Sequence, residues 1–208
     1  MEYINFHTHR ETAEGVVTPR SFGIHPWHAD QETSSDFDTF ARKYDADFDA
    51  ALLVGECGLD KACRSSWQRQ LTLFEWQAAV AQQKGKPMVI HCVHAFNDLV
   101  VLRRRYRQGL WVVHGFTGTP QLAAQLFKMD VWTSWGAALL DERRPKVREH
   151  FRDNPYPFLL ETDDSPCPID DIYAVAADLK KTTLPNLADT IKEYYTSLLQ
   201  HNHTTPQP

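Results

Sequence analysis

The sequence predicts an α/β fold, a TIM (β/α) barrel abbreviated to about seven recognisable strands. Short apolar runs rich in β-branched and aromatic residues are typical of buried parallel strands. Helical patterns lie between most of these runs, and this alternation implies a parallel sheet. Five runs also end in histidine or a carboxylate. In a barrel such residues surround one site, whereas an open sheet would spread some of them apart, so a barrel is favoured.

Seven segments are predicted as strands. Only about a dozen residues join the first segment to the second, and a whole crossover needs at least about 10–12 residues besides its new strand. We therefore expect a loop there, or at most a stub near Gly15–Val17. The predicted strands are 3–9, 21–26, 50–60, 87–92, 110–116, 131–136 and 157–163.

Four segments are predicted as helices. The clearest covers 67–85, where a serine can cap the start and Gly85 can end the helix. A second begins near Thr119 with Pro120 in its first turn, and two more cover 170–181 and 186–200. One face of the first helix is predicted to carry Trp67, Leu71, Phe74, Ala78 and Ala81.

Composition indicates one globular domain over residues 1–200, followed by a flexible polar tail over 201–208. The net charge of −5 argues against a basic nucleic-acid-binding scaffold, although it leaves room for an enzyme that acts on nucleic acid at one site. The basic runs 103–107 and 143–144 are interpreted as solvated helix faces. Trp27, Trp132 and Trp135 can stack bases, although the last two are equally explained as core residues.

The sequence also predicts a cytoplasmic location. It has no apolar run near the roughly 18 residues of a membrane span, and its start lacks the pattern of a signal peptide. The four cysteines form no CxxC pair, which is typical of reduced thiols. We expect no membrane association, and no obligate protein partner is evident.

Six polar residues follow the apolar strands and form a mixed nitrogen and oxygen ligand set suited to Zn²⁺, Mn²⁺ or Mg²⁺. Taken singly, each histidine can be a hydrogen-bonded core residue and each carboxylate an ion-pair partner. Burying all six together is costly unless a cation compensates them, which favours the metal interpretation. The six are His7, His9, Glu56, His91, His114 and Asp163.

The motifs that carry these residues resemble those of the TatD-type deoxyribonuclease family, as a short divergent branch. They are His-x-His, "GIHP", "VGECGLD", "PMVIHC", "VVHGFTG" and "LLETDDSP", spread from His7 to about Pro166. The resemblance implies a metal-dependent hydrolase with a TIM-barrel fold and two divalent ions, Zn, Mg or Mn. It predicts hydrolysis of ester bonds in DNA or in a small phosphoester.

Carried over by position, the resemblance also implies roles for the ligands. Glu56 bridges the two ions, and Asp163 binds the first ion and can orient or deprotonate the attacking water. The histidines divide into a pair for each ion, His7 with His9 for the first and His91 with His114 for the second.

Three further residues are predicted to handle the substrate. His25, of "GIHP", lies at a position that faces the substrate in the family and is assigned a catalytic and substrate-binding role; the alternative is a loop histidine bonded to backbone. Val93 replaces a basic residue of the family motif, and His94 stands beside it where a charged group is common. Lys61 can restore the positive charge, because its flexible stem can reach a phosphate.

The leading hypothesis is a phosphodiesterase or deoxyribonuclease that uses water activated by two metal ions. One alternative is a hydrolase of a small amide, lactone or phosphomonoester on the same metal centre, since one fold supports many chemistries. The other is a shortened, catalytically weak metal-binding protein.

Overall fold

The computed structural model describes residues 2–200, in which strands alternate with helices. The strands are β1 (Tyr3–Ile4), β2 (Val16–Val17), β3 (Ser21–Phe22), β4 (Leu53–Asp60), β5 (Met88–Val93), β6 (Trp111–Val113), β7 (Val131–Trp135) and β8 (Phe158–Leu160). The helices are α1 (Phe37–Lys43), α2 (Asp45–Ala50), α3 (Trp67–Lys84), α4 (Phe96–Arg105), α5 (Pro120–Phe127), α6 (Pro145–Asp153), α7 (Ile169–Leu179) and α8 (Leu184–Gln200). Two short 3-10 helices cover Pro26–Gln31 and Ala137–Leu139.

The chain divides into two compact units. The first unit contains the residues up to Pro19 together with Val113–Leu198, and the second unit is formed mainly by Arg20–Val112. The boundary of a single domain at residue 200 stays a prediction, and the tail 201–208 lies outside the described residues. Within the part of the chain that the structure describes, no helix is long and apolar enough to cross a membrane. The four cysteines are free.

The second unit is built on three parallel strands in the order β3, β4, β5. All eight residues of β4 are buried, as expected for a strand covered on both faces. The register between β4 and β5 shifts between Val54 and Cys57, and beyond the shift Gly58 lies opposite His91. The shift therefore falls next to the two residues predicted to hold a metal, Glu56 and His91.

In the first unit, β1 pairs with β2 and β7 pairs with β8, and both pairs are parallel. The chain after β1 continues beside the end of β8, because the Phe6 amide donates to the Leu160 carbonyl at 2.9 Å. The Tyr173 hydroxyl, on α7, accepts from the Ile4 amide at 3.1 Å and donates to the Ile4 carbonyl at 3.0 Å. A side chain thus completes the backbone hydrogen bonds that the short β1 leaves open.

Each of the seven predicted strand segments contains a strand, and each of the four predicted helices is present. The described residues hold eight strand segments, and the additional one is the two-residue stub β2, at the place where a stub was expected. The predicted strand 21–26 ends early at Phe22, since Pro26 has no amide hydrogen and starts a 3-10 helix. Sequence reasoning missed four helices: α1, α2, α4 and α6.

Candidate metal centre

In the first unit, two histidines and one aspartate bring their ligand atoms within 4.8 Å of one another. The Asp163 Oδ1 lies 3.6 Å from the His9 Nε2 and 3.9 Å from the His7 Nε2. His7 is buried, His9 is exposed and Asp163 is half-buried. This group is called the Asp163 cluster below.

Backbone pairing places the Asp163 cluster. Thr8 bridges to Asp163 in parallel register, the Asp163 amide donates to the His7 carbonyl at 3.0 Å, and the His9 amide donates to the Asp163 carbonyl at 3.3 Å. In an extended segment alternate side chains share a face, so His7 and His9 point the same way while Thr8 points away. Asp163 has φ of 51°, a left-handed conformation that aspartate tolerates better than most residues.

The donor set of the Asp163 cluster suits a divalent cation. Ligands about 2.0–2.2 Å from a tetrahedral ion stand roughly 3.4 Å from one another. The two nitrogen–oxygen separations, 3.6 and 3.9 Å, need to close by only a few tenths of an ångström to reach that spacing. Two imidazoles and a carboxylate also match the ligands that zinc and manganese accept in proteins.

The second unit holds a similar set, called the Glu56 cluster. The Glu56 Oε1 lies 3.0 Å from the His25 Nε2 and 3.1 Å from the His91 Nδ1. The two imidazole rings meet edge to face at 4.5 Å, and the Glu56 side chain is buried. A buried carboxylate between two imidazoles is a second donor set of the kind that binds a divalent cation.

Two glycines let β4 and β5 approach closely enough to build the Glu56 cluster. A Cβ on Gly55 would lie 2.2 Å from the Val89 carbonyl oxygen, and a Cβ on Gly58 would lie 1.9 Å from the His91 carbonyl oxygen. Both glycines have positive φ, +133° and +151°. No larger residue fits at either position without moving β5, and with it His91.

Two buried glutamines of α3 hold the backbone around the Glu56 cluster. The Gln70 Oε1 accepts from the Asp60 amide at 2.8 Å, and the Gln70 Nε2 donates to the Asp60 carbonyl at 3.1 Å. Gln77 makes the corresponding pair with Ile24, accepting at 2.6 Å and donating at 3.2 Å. Each side-chain amide thus satisfies the backbone N–H and C=O of one residue, as a neighbouring strand would do. The two residues are Asp60 itself and Ile24, which precedes His25.

Asp60 orients His91 from the far side of the imidazole. The Asp60 Oδ2 lies 3.2 Å from the His91 Nε2 and accepts a hydrogen bond from the Trp27 Nε1 at 2.7 Å. Burial alone raises the pKa of Asp60, but the hydrogen bonds from Trp27, the Ala62 amide and His91 outweigh burial and lower it. Asp60 therefore stays ionised, and an ionised carboxylate behind a histidine fixes its tautomer and raises its basicity as a ligand.

Glu161 plays the corresponding part for His114 in the first unit. The Glu161 Oε1 lies 3.2 Å from the His114 Nδ1 and accepts from the Gly115 amide at 2.6 Å, while the Ser134 hydroxyl donates to Oε2. Burial raises the pKa of Glu161, but the attraction of His114 and their hydrogen bond outweigh it, so the pKa is lowered. The His114 and His7 rings meet at 4.7 Å, which places His114 next to the Asp163 cluster.

The three residues predicted to bind the substrate lie in different surroundings. His25 lies in the Glu56 cluster, and its Nδ1 also accepts from the Trp27 amide at 3.2 Å. Lys61 pairs with Asp98 at 2.5 Å and lies 4.8 Å from the centre of the Trp67 ring. His94 is exposed just after β5. Neither Lys61 nor His94 joins either cluster.

Sequence reasoning gave no role to Asp60 or Glu161. Both lie inside motifs that were recognised, Asp60 in "GECGLD" and Glu161 in "ETDD". The signal that could have found them is a carboxylate within a strand that is otherwise apolar, because a buried carboxylate needs a dedicated partner.

Known proteins match the part of the chain that contains these motifs. The family model described as "TatD related DNase" matches residues 6–202. The protein named "3'-5' ssDNA/RNA exonuclease TatD" of Edwardsiella piscicida is 33% identical over 128 residues, which are 59% of this chain and 47% of the relative. The "Uncharacterized metal-dependent hydrolase YabD" of Bacillus subtilis is 28% identical over 152 residues, 71% of this chain and 58% of the relative. The chain spans about half the length of the first curated relatives it matches.

Solved structures share the fold. The TatD homologue YJJV of Escherichia coli K12 aligns with a TM-score of 0.73 at 21% identity, covering 90% of this chain and 78% of the other. A structure described as an uncharacterized amidohydrolase from Saccharomyces cerevisiae aligns with a TM-score of 0.73 at 16% identity, covering 88% of this chain and 81% of the other. These similarities confirm the predicted fold class, an α/β protein of the TIM-barrel type in abbreviated form.

Proposed function

The chain belongs to the TatD related DNase family, and from this premise we propose that it is a divalent-metal-dependent hydrolase of phosphodiester bonds in single-stranded nucleic acid. One observation carries the proposal: each of the two units contains a set of two imidazoles and one carboxylate with cation-binding spacing. The names of the exonuclease relatives support the choice of substrate. A cytoplasmic location, predicted from the sequence, belongs to the same proposal.

We assign two ions, of Mg²⁺, Mn²⁺ or Zn²⁺, to the two clusters. His7, His9 and Asp163 hold the first. Glu56 and His91 hold the second, and the position of His25 makes it a further donor there. Two more assignments stay predictions: Glu56 as the ligand shared by both ions, and His114 as a ligand of the second.

A pair of divalent cations would supply charge stabilisation to the attacking and leaving oxygens of a phosphodiester. The protein's own groups do the rest. The half-buried Asp163 carboxylate orients the attacking water and accepts its proton. Asp60 and Glu161 hold the imidazoles of His91 and His114 in a fixed tautomer.

The proposal is tested with one carboxylate variant. Asp163→Asn keeps the shape of the side chain but loses its charge and its ability to take a proton. We expect a rate loss of at least about 10²–10⁴-fold, typical of general-base removal, with the fold retained and much of the metal still bound. Hydrolysis of single-stranded DNA, of RNA and of bis(p-nitrophenyl) phosphate is measured with each cation, beside the metal content.

Asp164→Asn is the matched control, since it makes the same change at the exposed neighbouring position and should leave the rate within about twofold. Normal rates for Asp163→Asn with full metal content would remove the proposed mechanism. A wild type that hydrolyses an amide, lactone or phosphomonoester but no phosphodiester would replace the function with the alternative on the same centre. Inactivity with every cation would favour a metal-binding protein without catalysis.

A further inference from the structure

Trp27 is a large apolar side chain left exposed beside the Glu56 cluster. Its side chain is 56% exposed, although Trp132 and Trp135 are buried in the core. It occupies the first turn of the 3-10 helix that follows His25. Its ring centre lies 4.9 Å from that of His25 and 6.1 Å from that of His91.

Hydrogen bonds hold both the indole and the backbone of Trp27. Its Nε1 donates to the Asp60 Oδ2 at 2.7 Å, its amide donates to the His25 Nδ1 at 3.2 Å, and its carbonyl accepts from the Ser65 hydroxyl at 2.8 Å. Both ring contacts with the neighbouring histidines are edge-on or T-shaped. The side chain has therefore already lost most of its rotamer freedom, and a ligand that packs on it has little further ordering cost.

We infer that Trp27 is a stacking platform for a base of single-stranded nucleic acid, positioned so that the adjoining phosphodiester reaches the Glu56 cluster. The inference rests on the proposed function and adds to it the residue that recognises the base. Loss of a stacking contact between a base and an aromatic side chain weakens binding about 5–150-fold, and the contact tolerates any base because every base has a π face. A tryptophan that is 56% exposed is suited to that contact.

A purely structural role for Trp27 makes a different prediction. In that case the indole N–H matters because it holds Asp60, and through Asp60 it holds His91. Phenylalanine separates the two roles, since Trp27→Phe keeps an aromatic face but cannot donate to Asp60, while Trp27→Ala loses both.

The experiment measures binding rather than turnover. Fluorescently labelled oligothymidylate with nuclease-resistant linkages is titrated with the metal-loaded protein, beside an oligomer of equal length whose sugars carry no bases. We expect Trp27→Ala to weaken binding of the base-containing oligomer at least about fivefold and to move the affinity ratio of the two oligomers toward one. Trp27→Phe should keep most of that ratio. Leu52→Ala is the control, because Leu52 is also a large exposed apolar residue of this unit but precedes the start of β4.

Equal losses for Trp27→Phe and Trp27→Ala on both oligomers would overturn the inference in favour of the structural role. Unchanged binding in Trp27→Ala would overturn it too, as would a wild type that binds the two oligomers equally or binds neither. Hydrolysis of bis(p-nitrophenyl) phosphate is followed separately. Base-dependent binding without any hydrolysis would contradict the proposed function but support the role of Trp27. Hydrolysis without base-dependent binding would support the proposed function but contradict the role of Trp27.

Discussion

Glu161 orients His114, a predicted ligand, without belonging to either cluster. Its carboxylate is fully buried and meets three donors: the His114 Nδ1, the Gly115 amide and the Ser134 hydroxyl. A carboxylate accepts from all three at once, which is why an ionised group is tolerated in the core. A negative charge at this place supports the basicity of His114 as well as its orientation.

Glu161→Gln separates the charge of Glu161 from its hydrogen bonds. The Gln amide can donate to the Ser134 hydroxyl, which can turn to accept, while its oxygen still accepts from His114 and Gly115. We expect the fold to survive and the affinity for the bound cation to fall about 10–100-fold, the usual cost of losing the outer partner of a metal-binding histidine. Isothermal titration with Mn²⁺ and the thermal midpoint measure the two effects.

Glu161→Ala is the comparison for this experiment, because it removes the acceptor of three hydrogen bonds and should lower the thermal midpoint as well. If Glu161→Gln bound Mn²⁺ as tightly as the wild type, the charge would have no part in supporting His114.

Glu32 belongs to neither cluster and links stability to pH. It is 5% exposed and accepts from the Ser34 amide, the Lys43 ammonium and the Tyr44 hydroxyl. Burial raises its pKa, but these bonds outweigh burial and lower the pKa from the ordinary 4.5 to about 2. Because the folded-state pKa lies below the unfolded-state value, its stabilisation is complete above about pH 4.5 and is lost as the pH falls toward 2.

We therefore expect Glu32→Gln to reduce the free energy of unfolding at neutral pH by up to about 3 kcal/mol. The difference from the wild type should shrink between pH 4.5 and 2. Urea unfolding over this pH range checks it, with Glu14→Gln as the control for losing one exposed negative charge. A difference that stayed constant with pH would show that the ionised form of Glu32 does not stabilise the fold.

At the scale of elements, the close packing of β4 on β5 depends on glycine. Gly58→Ala would drive a methyl group into the His91 carbonyl oxygen, since the ideal Cβ lies 1.9 Å away. Gly15 also has positive φ, +79°, but a Cβ there meets nothing within 4 Å. The two positions thus distinguish a backbone penalty from a clash between strands.

We expect Gly15→Ala to cost about 1–2 kcal/mol, the penalty of a left-handed conformation. Gly58→Ala should cost at least about 3 kcal/mol, since overpacking adds to the backbone term. It should also reduce metal content, because His91 moves with β5. Chemical denaturation measures the loss of stability, and metal analysis measures the metal content. Equal effects of the two substitutions would mean that β5 shifts to accept the methyl group at little cost.

The helical elements also show where a sequence pattern misleads. The charge pattern of the basic run 103–107 predicts a solvated helix face, yet Arg103 is 3% exposed. Its guanidinium donates to the carbonyls of Tyr106, Gln108 and Gly109 and lies 5.0 Å from the centre of the Trp111 ring. The planar guanidinium of a buried arginine can thus bind the carbonyl groups that follow the end of a helix. The local charge pattern does not distinguish Arg103 from its exposed neighbours.

For the whole molecule, bound metal should contribute to stability. If the two proposed clusters each bind a cation, binding favours the folded state, because unfolding separates the ligands. At a concentration 100 times its dissociation constant, a cation stabilises the fold by about 2.7 kcal/mol. For a chain of this size we expect the thermal midpoint to rise by roughly 5–11 °C.

The measurement compares the protein after chelation with the same sample after addition of Mn²⁺, Zn²⁺ or Mg²⁺. Asp163→Asn combined with Glu56→Gln should lose more of the shift than Asp163→Asn alone, while Asp164→Asn should keep it. If no cation raised the thermal midpoint, neither cluster would bind metal in solution.

The sequence by itself determined the class of the fold and named six candidate ligands, but it assigned His25, a member of the Glu56 cluster, to the substrate. Apolar runs rich in β-branched and aromatic residues locate the strands, and the helical spacing of apolar residues locates the clearest helix. Both patterns are visible in the sequence because a buried face requires apolar residues at regular intervals. Five of the predicted runs carry polar side chains in their second halves, and chain order alone lists them: His7 with His9, Glu56, His91, His114 and Asp163.

Only the tertiary structure decided what each polar group contacts. Two carboxylates of one short motif take different parts: Glu161 turns into the core toward His114 and Ser134, while Asp163 turns to His7 and His9. His25 joins Glu56 across 31 residues of chain, and Gln70 holds Asp60 from a neighbouring helix. Hydrophobic periodicity records which face of an element is buried, but a hydrogen bond depends on where a distant element places one atom, and that is fixed only when the chain is folded.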